Sequence, residues 1–122
     1  MAGHRLSFAS APRDGGIEVF TLEGDLFGST GAYDFQENVR AKLTLGTRGV
    51  VIDLEKVTRI DSTGIGVLVA LMWSASSSAA GLVLASLPGR VEKILEIAML
   101  LDHIDHADSV DEAVRKLQAM AF

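Results

Sequence analysis

The chain is organised around the stretch Ile60-Asp61-Ser62-Thr63-Gly64-Ile65-Gly66-Val67-Leu68. Before it comes Gly49-Val50-Val51-Ile52-Asp53-Leu54, a short apolar run between a glycine and charged residues, which is typical of a buried strand. After it, residues 63–78 continue as a mostly apolar segment that predicts a helix. The stretch is therefore the turn that joins a central strand to a helix.

Three polar residues at this turn suggest a chemical role. Asp61 stands where an N-cap belongs, because its carboxylate can accept from the free N–H groups of the first helical turn. Ser62 or Thr63 then lies at the positive end of the helix dipole, where backbone donors can hold an anion. A hydroxyl beside an anion site is typical of a phosphorylatable switch, and at this point either Ser62 or Thr63 could be the acceptor. The alternative is that both residues only cap the helix.

Composition sets the limits on function. The chain has 122 residues, 48% of them apolar, which predicts one packed domain over residues 1–122. A net charge of -5 disfavours nucleic acid and anionic membranes as partners. There is no cysteine, so disulfides and thiolate sites are excluded. Serines interrupt the longest apolar stretch and no apolar leader follows Met1, so we expect a cytoplasmic protein without membrane insertion.

The remaining chain alternates strand and helix patterns. Residues 6–10 and 17–23 predict two strands of a hairpin, and 24–28 a loop. A helix over 31–45 follows, capped by Ser29 or Thr30, with Phe35, Val39 and Leu43 facing the core. Later segments predict strands at 82–86 and 103–106, a helix after Pro88 and a helix over 110–120. This order predicts an α/β fold: a mostly parallel sheet of four or five strands, an antiparallel N-terminal edge hairpin and about four helices.

With Asp61-Ser62-Thr63-Gly64-Ile65-Gly66-Val67 after its central strand, the chain resembles the STAS domain (sulfate transporter and anti-sigma factor antagonist). Gly24-Asp25-Leu26, Val51-Ile52-Asp53-Leu54 and residues 88–97 extend the resemblance over almost the whole chain. For a stand-alone member it implies an anti-sigma factor antagonist. Such a protein binds a serine-kinase anti-sigma factor and frees a sigma factor until the kinase phosphorylates the first serine of the motif. That serine is Ser62 here, and Thr63 is the secondary candidate. A serine phosphatase resets the switch, and the domain is not an enzyme and needs no cofactor.

Three departures from the family pattern favour an alternative. Phe27 replaces a second acid that is usual after Gly-acid-Leu, the second helix carries Leu71-Met72-Trp73, and Ala98-Met99-Leu100 replaces a frequent Thr-Gly-Leu. The alternative is a non-switching STAS subunit of a larger complex, either a stress-signalling assembly or a lipid-transport ATPase complex.

The expected binding surface combines the loop at residues 25–29, the turn at 61–64 and the exposed side of the second helix. Asp25 either contacts the partner or caps the first helix, and Phe27 is either a lid on the core or an exposed anchor. Trp73 is either buried in the core or an interface anchor. Gly64 and Gly66 suggest close approach of a neighbouring strand or of the partner. The predicted partner-binding residues are Asp25, Phe27, Ser29, Asp61, Ser62, Thr63, Gly64 and Trp73.

Other candidate chemistry has little support. Asp102, His103, Asp105, His106 and Asp108 form an acidic and histidine-rich cluster, but neighbours in a strand point in opposite directions, so we expect a solvated rim and no metal site. A small hydrolase using Ser62 lacks an obvious histidine partner, so no catalytic residue is predicted. The oligomeric state stays open, a homodimer included.

Overall fold

The computed structural model describes residues 4–120, which form five strands and four α-helices around one sheet. The sheet has the order β1-β2-β3-β4-β5, with β1 antiparallel to β2 and the other neighbours parallel. This confirms the predicted α/β fold with its antiparallel edge hairpin. The strands are β1 Ser7–Arg13, β2 Ile17–Leu26, β3 Gly49–Ile60, β4 Gly81–Ala85 and β5 Asp105–Ala107, and the helices are α1 Ala32–Thr44, α2 Ser62–Ser77, α3 Gly89–Ile97 and α4 Val110–Ala119.

Each face of the sheet carries its own hydrophobic core, because successive side chains of a strand point to opposite faces. On one face, Phe20 and Ile52 pack with apolar residues of α1, α2 and α3. On the other, Val19 and Val51 pack with residues of α4, among them Leu117. The predicted core residues of α1, Phe35, Val39 and Leu43, are all buried.

The two central strands are longer than predicted. The sequence suggested that β2 ends at residue 23 and β3 at 54, but they continue to Leu26 and Ile60. Their pairing shifts between Thr21 and Glu23 and again between Gly24 and Asp25, and these irregularities disguise the alternation that marks a strand. Gly24-Asp25-Leu26 is therefore strand and not loop, and Asp25 lies opposite Arg59. The carboxyl ends of β2 and β3 thus lie side by side where α2 begins.

The start of α1 differs from the prediction that Ser29 or Thr30 caps it. The N-cap is Gly31, at φ 120°, and no side chain caps the helix. Gly28–Thr30 forms a short 3-10 turn ahead of it. Thr30 is buried, and its hydroxyl instead donates to the Asp25 carbonyl at 2.5 Å. Thr30 therefore holds the β2–α1 connection together.

The bounds of two further strands differ from the prediction. The last strand lies at Asp105–Ala107 and not at 103–106. β1 extends through Pro12 to Arg13, which a sheet-edge strand permits because proline has no N–H to donate. Over the described part of the chain, 4–120, no helix is long and apolar enough to cross a membrane.

Candidate functional site

The turn between β3 and α2 is a capped helix start, as predicted. Asp61 is the N-cap residue, with extended backbone, and its Oδ1 accepts from the Gly64 N–H at 2.8 Å. The Asp61 carbonyl accepts from the Ile65 N–H at 3.0 Å. α2 begins at Ser62, one residue earlier than the sequence suggested. The side chain of Asp61 is thus occupied by the helix itself.

Ser62 is exposed at the mouth of α2. Among residues 4–120, no group forms a hydrogen bond with its hydroxyl, whereas Gly64 and Ile65 have their N–H groups satisfied by Asp61. The N–H groups of the first two residues of α2 point out of its N-terminus, which is also the positive end of the helix dipole. The Ser62 hydroxyl lies at this same end. The arrangement leaves a free hydroxyl beside donors suited to an anion.

Thr63 is less accessible than Ser62. It is half-buried, and a Cβ built on Gly28 would lie 2.9 Å from its Cγ2 methyl, so the loop after β2 passes directly over it. Of the two candidate acceptors, Ser62 is the one that solvent reaches freely. Ser29, in the same loop as Gly28, is also exposed.

The two glycines of the motif have different surroundings. Gly64 is buried, and a Cβ on it would collide with the carbonyl oxygen of Leu26, so the close approach there is to β2. This contradicts a direct partner contact by Gly64. Gly66 is exposed, and nothing lies within 4 Å of the position its Cβ would take. The fold thus requires glycine at 64 but places no such demand at 66.

Asp25 is buried and forms its hydrogen bonds inside the domain. It is completely buried, and its carboxylate accepts from Arg59 through Nη2–Oδ2 at 2.6 Å and Nε–Oδ1 at 3.2 Å. The N–H of His4 donates to the same carboxylate at 2.8 Å. The hydrogen bonds from Arg59 hold the pKa of Asp25 below its usual value, against the opposing effect of burial. Both expected roles for Asp25, partner contact and cap of α1, are therefore wrong.

Residues 4–6 bind the loop after β2 from outside. The Asp25 N–H donates to the His4 carbonyl at 3.2 Å, and the Leu6 N–H donates to the Thr30 carbonyl at 3.0 Å. Gly24 has a φ of 109°, and a Cβ there would meet the Arg5 carbonyl, so this strand end needs glycine. The segment fixes the loop that lies over Thr63.

Sequence reasoning missed Arg59. Its Cζ lies 5.1 Å from the centre of the Phe27 ring, a cation–π arrangement. Phe27 is half-buried, and its two suggested roles, a lid on the core or an exposed anchor, stay predictions. The Arg59 side chain is 47% exposed. A signal did exist, since Arg59 directly precedes Ile60-Asp61, but its acidic partner lies 34 residues earlier in the sequence.

A family model for the STAS domain matches residues 9–113. The chain belongs to the STAS domain family. A candidate anti-sigma factor antagonist of Thermotoga maritima (TM1081) has a TM-score of 0.80 and 25% identity, covering 91% of this chain and 94% of that one.

Two further STAS structures show the same fold at lower identity. An anti-sigma factor antagonist of Mycobacterium paratuberculosis has a TM-score of 0.82 and 16% identity, over 93% of this chain and 94% of that chain. The anti-sigma factor antagonist SpoIIAA of Bacillus, in its phosphorylated form, has a TM-score of 0.70 and 17% identity, over 90% and 98%. These two matches establish the fold and no more.

One face of α2 carries a stripe of three exposed residues and one half-buried residue, Val69, in this STAS domain. Residues at i, i+4, i+7 and i+11 share a helix face, and here they are Ser62, Gly66, Val69 and Trp73. Trp73 is 66% exposed, so of its two suggested roles core burial is wrong. We call these four residues the α2 stripe.

Two of the departures from the STAS pattern meet beside the stripe. Val69, Met72 and Trp73 line one side of a groove of about 520 Å³, and Ala98, Met99, Leu100 and His103 line the other. Met99 is 65% exposed and has a φ of 60°, a backbone conformation that favours glycine. The groove thus joins the unusual segment of α2 to the unusual segment after α3.

The acidic and histidine-rich cluster does not converge in this STAS domain. Nδ1 of His106 lies 3.3 Å from the Ile104 carbonyl, and the His106 carbonyl accepts from the Lys116 ammonium at 2.8 Å. Across residues 4–120, no three His, Cys, Asp or Glu side chains are placed to hold one metal ion.

Proposed function

We propose that this STAS domain is an anti-sigma factor antagonist that binds a serine-kinase anti-sigma factor and thereby frees a sigma factor. Phosphorylation of Ser62 by that kinase ends the binding, and a serine phosphatase restores it. The observation that carries the proposal is the exposed Ser62 hydroxyl at the mouth of α2, in line with the exposed Trp73.

The chemistry of the site supports a switch that leaves the fold intact. A phosphoryl group adds about -1.5 to -2 charge at neutral pH. On the free domain, the helix dipole and the first amides of α2 can accommodate that charge at an exposed position. Under a docked protein, the same group adds bulk and desolvated charge, which weakens binding. Modification therefore acts on the complex and not on the folded domain.

The arrangement also favours Ser62 as the acceptor of a phosphoryl group over Ser62 as the nucleophile of an enzyme. Within residues 4–120, neither a histidine nor a carboxylate forms a hydrogen bond with its hydroxyl, which supports the proposal that Ser62 accepts a phosphoryl group. In this proposal the domain acts by binding, while ATP and the catalytic groups belong to the kinase. We place the protein in the cytoplasm, where such a kinase has access to ATP.

Structural relatives give the proposal further support. The candidate antagonist of Thermotoga maritima matches nearly the whole length of both chains at 25% identity. SpoIIAA has been solved both unphosphorylated and phosphorylated, with TM-scores to this chain of 0.78 and 0.70. A fold of this kind thus accommodates a phosphorylated state.

The test is phosphorylation of the purified chain. Each anti-sigma-type serine kinase of the source organism is incubated with the chain and ATP, and the product is mapped by mass spectrometry. We expect one phosphate, on Ser62, absent from Ser62→Ala and retained in Thr63→Ala. A chain that stays unmodified with every kinase, while co-purifying in a stable larger complex, would instead identify a non-switching STAS subunit.

A further inference from the structure

Arg59 is fixed in place but keeps hydrogen-bond donors facing outwards. Its Nε and Nη2 donate to Asp25, whereas Nη1 has no hydrogen-bond partner among residues 4–120. Almost half of the side chain is exposed. A guanidinium carries five N–H donors in a planar fork, so several remain available to a group arriving from solvent.

The surroundings of Arg59 prepare it for binding. The buried Asp25 carboxylate holds one edge of the guanidinium, and the Arg59 Cζ lies over the Phe27 ring, 5.1 Å from the ring centre. Ordering a long, flexible side chain ordinarily reduces the affinity of an interface. Here folding has already ordered it, so a ligand meets a donor in a single orientation.

Arg59 also lies at the edge of the proposed partner surface. It pairs with Asp25 in the sheet, the next pair is Leu26 with Ile60, and Asp61 and Ser62 follow directly. The loop that carries Phe27 continues to Gly28, which lies against Thr63. Through Gly28 and Ile60 the Arg59–Phe27 pair adjoins the turn that a protein docked over Ser62 would cover.

The charge of this pair indicates what it binds. Asp25 is beneath the surface, so the group presented to solvent is a cation, on a chain whose net charge is -5. A planar guanidinium edge is complementary to carboxylates and phosphates, and the side chains of an unmodified protein that supply such a group are Asp and Glu. We propose that Arg59 binds an Asp or Glu side chain of the protein that docks on the α2 stripe and so helps to select that partner. The partner itself rests on the proposed function.

The probe is the kinase that phosphorylates Ser62 in the assay above, with its affinity for unmodified chains measured by calorimetry. Arg59→Gln should weaken binding at least tenfold, and Arg59→Lys by a smaller factor, since lysine keeps the charge without the planar fork. Because Arg59→Gln leaves the buried Asp25 carboxylate without a cation, the double variant Asp25→Asn/Arg59→Gln is measured beside it, each with its melting temperature. Arg115→Gln, which removes an exposed arginine from α4, should bind like the wild type.

A charge swap completes the test. Arg59→Glu should bind at least 100-fold more weakly, and replacing one Asp or Glu of the kinase with Arg should restore at least tenfold of that loss. The inference is overturned if a folded double variant binds within twofold of the wild type, or if no kinase replacement rescues Arg59→Glu. In either case the proposed function stands as long as Ser62 phosphorylation still ends binding. If no such kinase binds the wild type, the proposed function fails and this inference fails with it.

Discussion

Arg59 and Asp25 are 34 residues apart, yet their side chains are joined by two hydrogen bonds, at 2.6 and 3.2 Å. The two side chains differ in solvent exposure, because Asp25 is completely buried while Arg59 is nearly half exposed. It ties the end of β2 to the end of β3 at the point where the turn carrying Ser62 begins.

The buried carboxylate should make the stability of the domain depend on pH in a defined way. The pKa of Asp25 is lowered in the folded state, chiefly by the hydrogen bonds from Arg59. Its ionised form therefore stabilises the fold fully above its unfolded pKa, about 3.9, and that stabilisation is lost as the pH falls through the lower folded value. Asp25→Asn should lower the free energy of unfolding by a constant amount above about pH 5, and the difference from wild type should shrink below about pH 4.

Urea titrations of both proteins between pH 3 and 7 measure this difference. Asp34→Asn, an exposed carboxylate in a 3.7 Å ion pair with Arg5, is the control and should stay close to wild type throughout. A gap between Asp25→Asn and wild type that widens towards low pH would contradict the assigned pairing.

The two glycines of the motif offer a matched pair of substitutions. Gly64→Ala should lower the free energy of unfolding by about 1–3 kcal/mol, because its Cβ meets the rigid Leu26 carbonyl. Gly66→Ala should raise it by about 0.5–1 kcal/mol, because alanine is the better helix former and space is open there. Chemical denaturation distinguishes the two, and equal effects would show that Gly64 does not approach β2.

Met99 occupies a position where glycine should be more stable. Its φ is 60°, which costs an L-residue about 1–2 kcal/mol, and it is too exposed to gain much from burial. Allowing for the greater entropy of unfolded glycine, Met99→Gly should stabilise the domain by up to about 1 kcal/mol. Ala98→Gly, one residue earlier at φ -74°, is the control and should destabilise it. Destabilisation by Met99→Gly, measured by thermal melting, would argue against the left-handed conformation.

Trp73 and Leu71 lie on one helix but should respond oppositely to truncation. Trp73→Ala should change stability by no more than about 0.5 kcal/mol, since the side chain faces solvent, whereas the fully buried Leu71→Ala should cost about 2–5 kcal/mol. Trp73→Ala should also weaken kinase binding at least tenfold, as an aromatic anchor would. As the sole tryptophan, Trp73 reports docking directly through a blue shift of its fluorescence. Unchanged emission in the complex would place the interface elsewhere.

Local patterns predicted the parts of the fold that local forces determine. The periodicity of Phe35, Val39 and Leu43 identified the core face of α1, and Asp61 was predicted as an N-cap because capping depends on neighbouring residues. The prediction that Ser29 or Thr30 caps α1 was wrong because a hydroxyl near a helix start can form other hydrogen bonds. Thr30 satisfies groups in the β2–α1 connection, a competing use for a hydroxyl that sequence spacing does not reveal.

Local sequence patterns could not predict the role of Asp25. Its burial depends on the register of two parallel strands, which brings Arg59 beside it, and irregular pairing near Gly24 hides the strand itself. Trp73 shows a second limit. α2 is apolar on nearly every side, so helical periodicity does not say which face meets the sheet, and only packing leaves Trp73 outside.

Phosphate on Ser62 should end partner binding, so the decisive measurement is the affinity of the partner kinase for the unmodified chain and for the chain carrying phosphate on Ser62. We predict that the phosphorylated form, with an unchanged melting temperature, binds about 100-fold more weakly, equivalent to about 3 kcal/mol. Equal affinity of the two forms, with the phosphate verified on Ser62, would show that Ser62 does not switch binding.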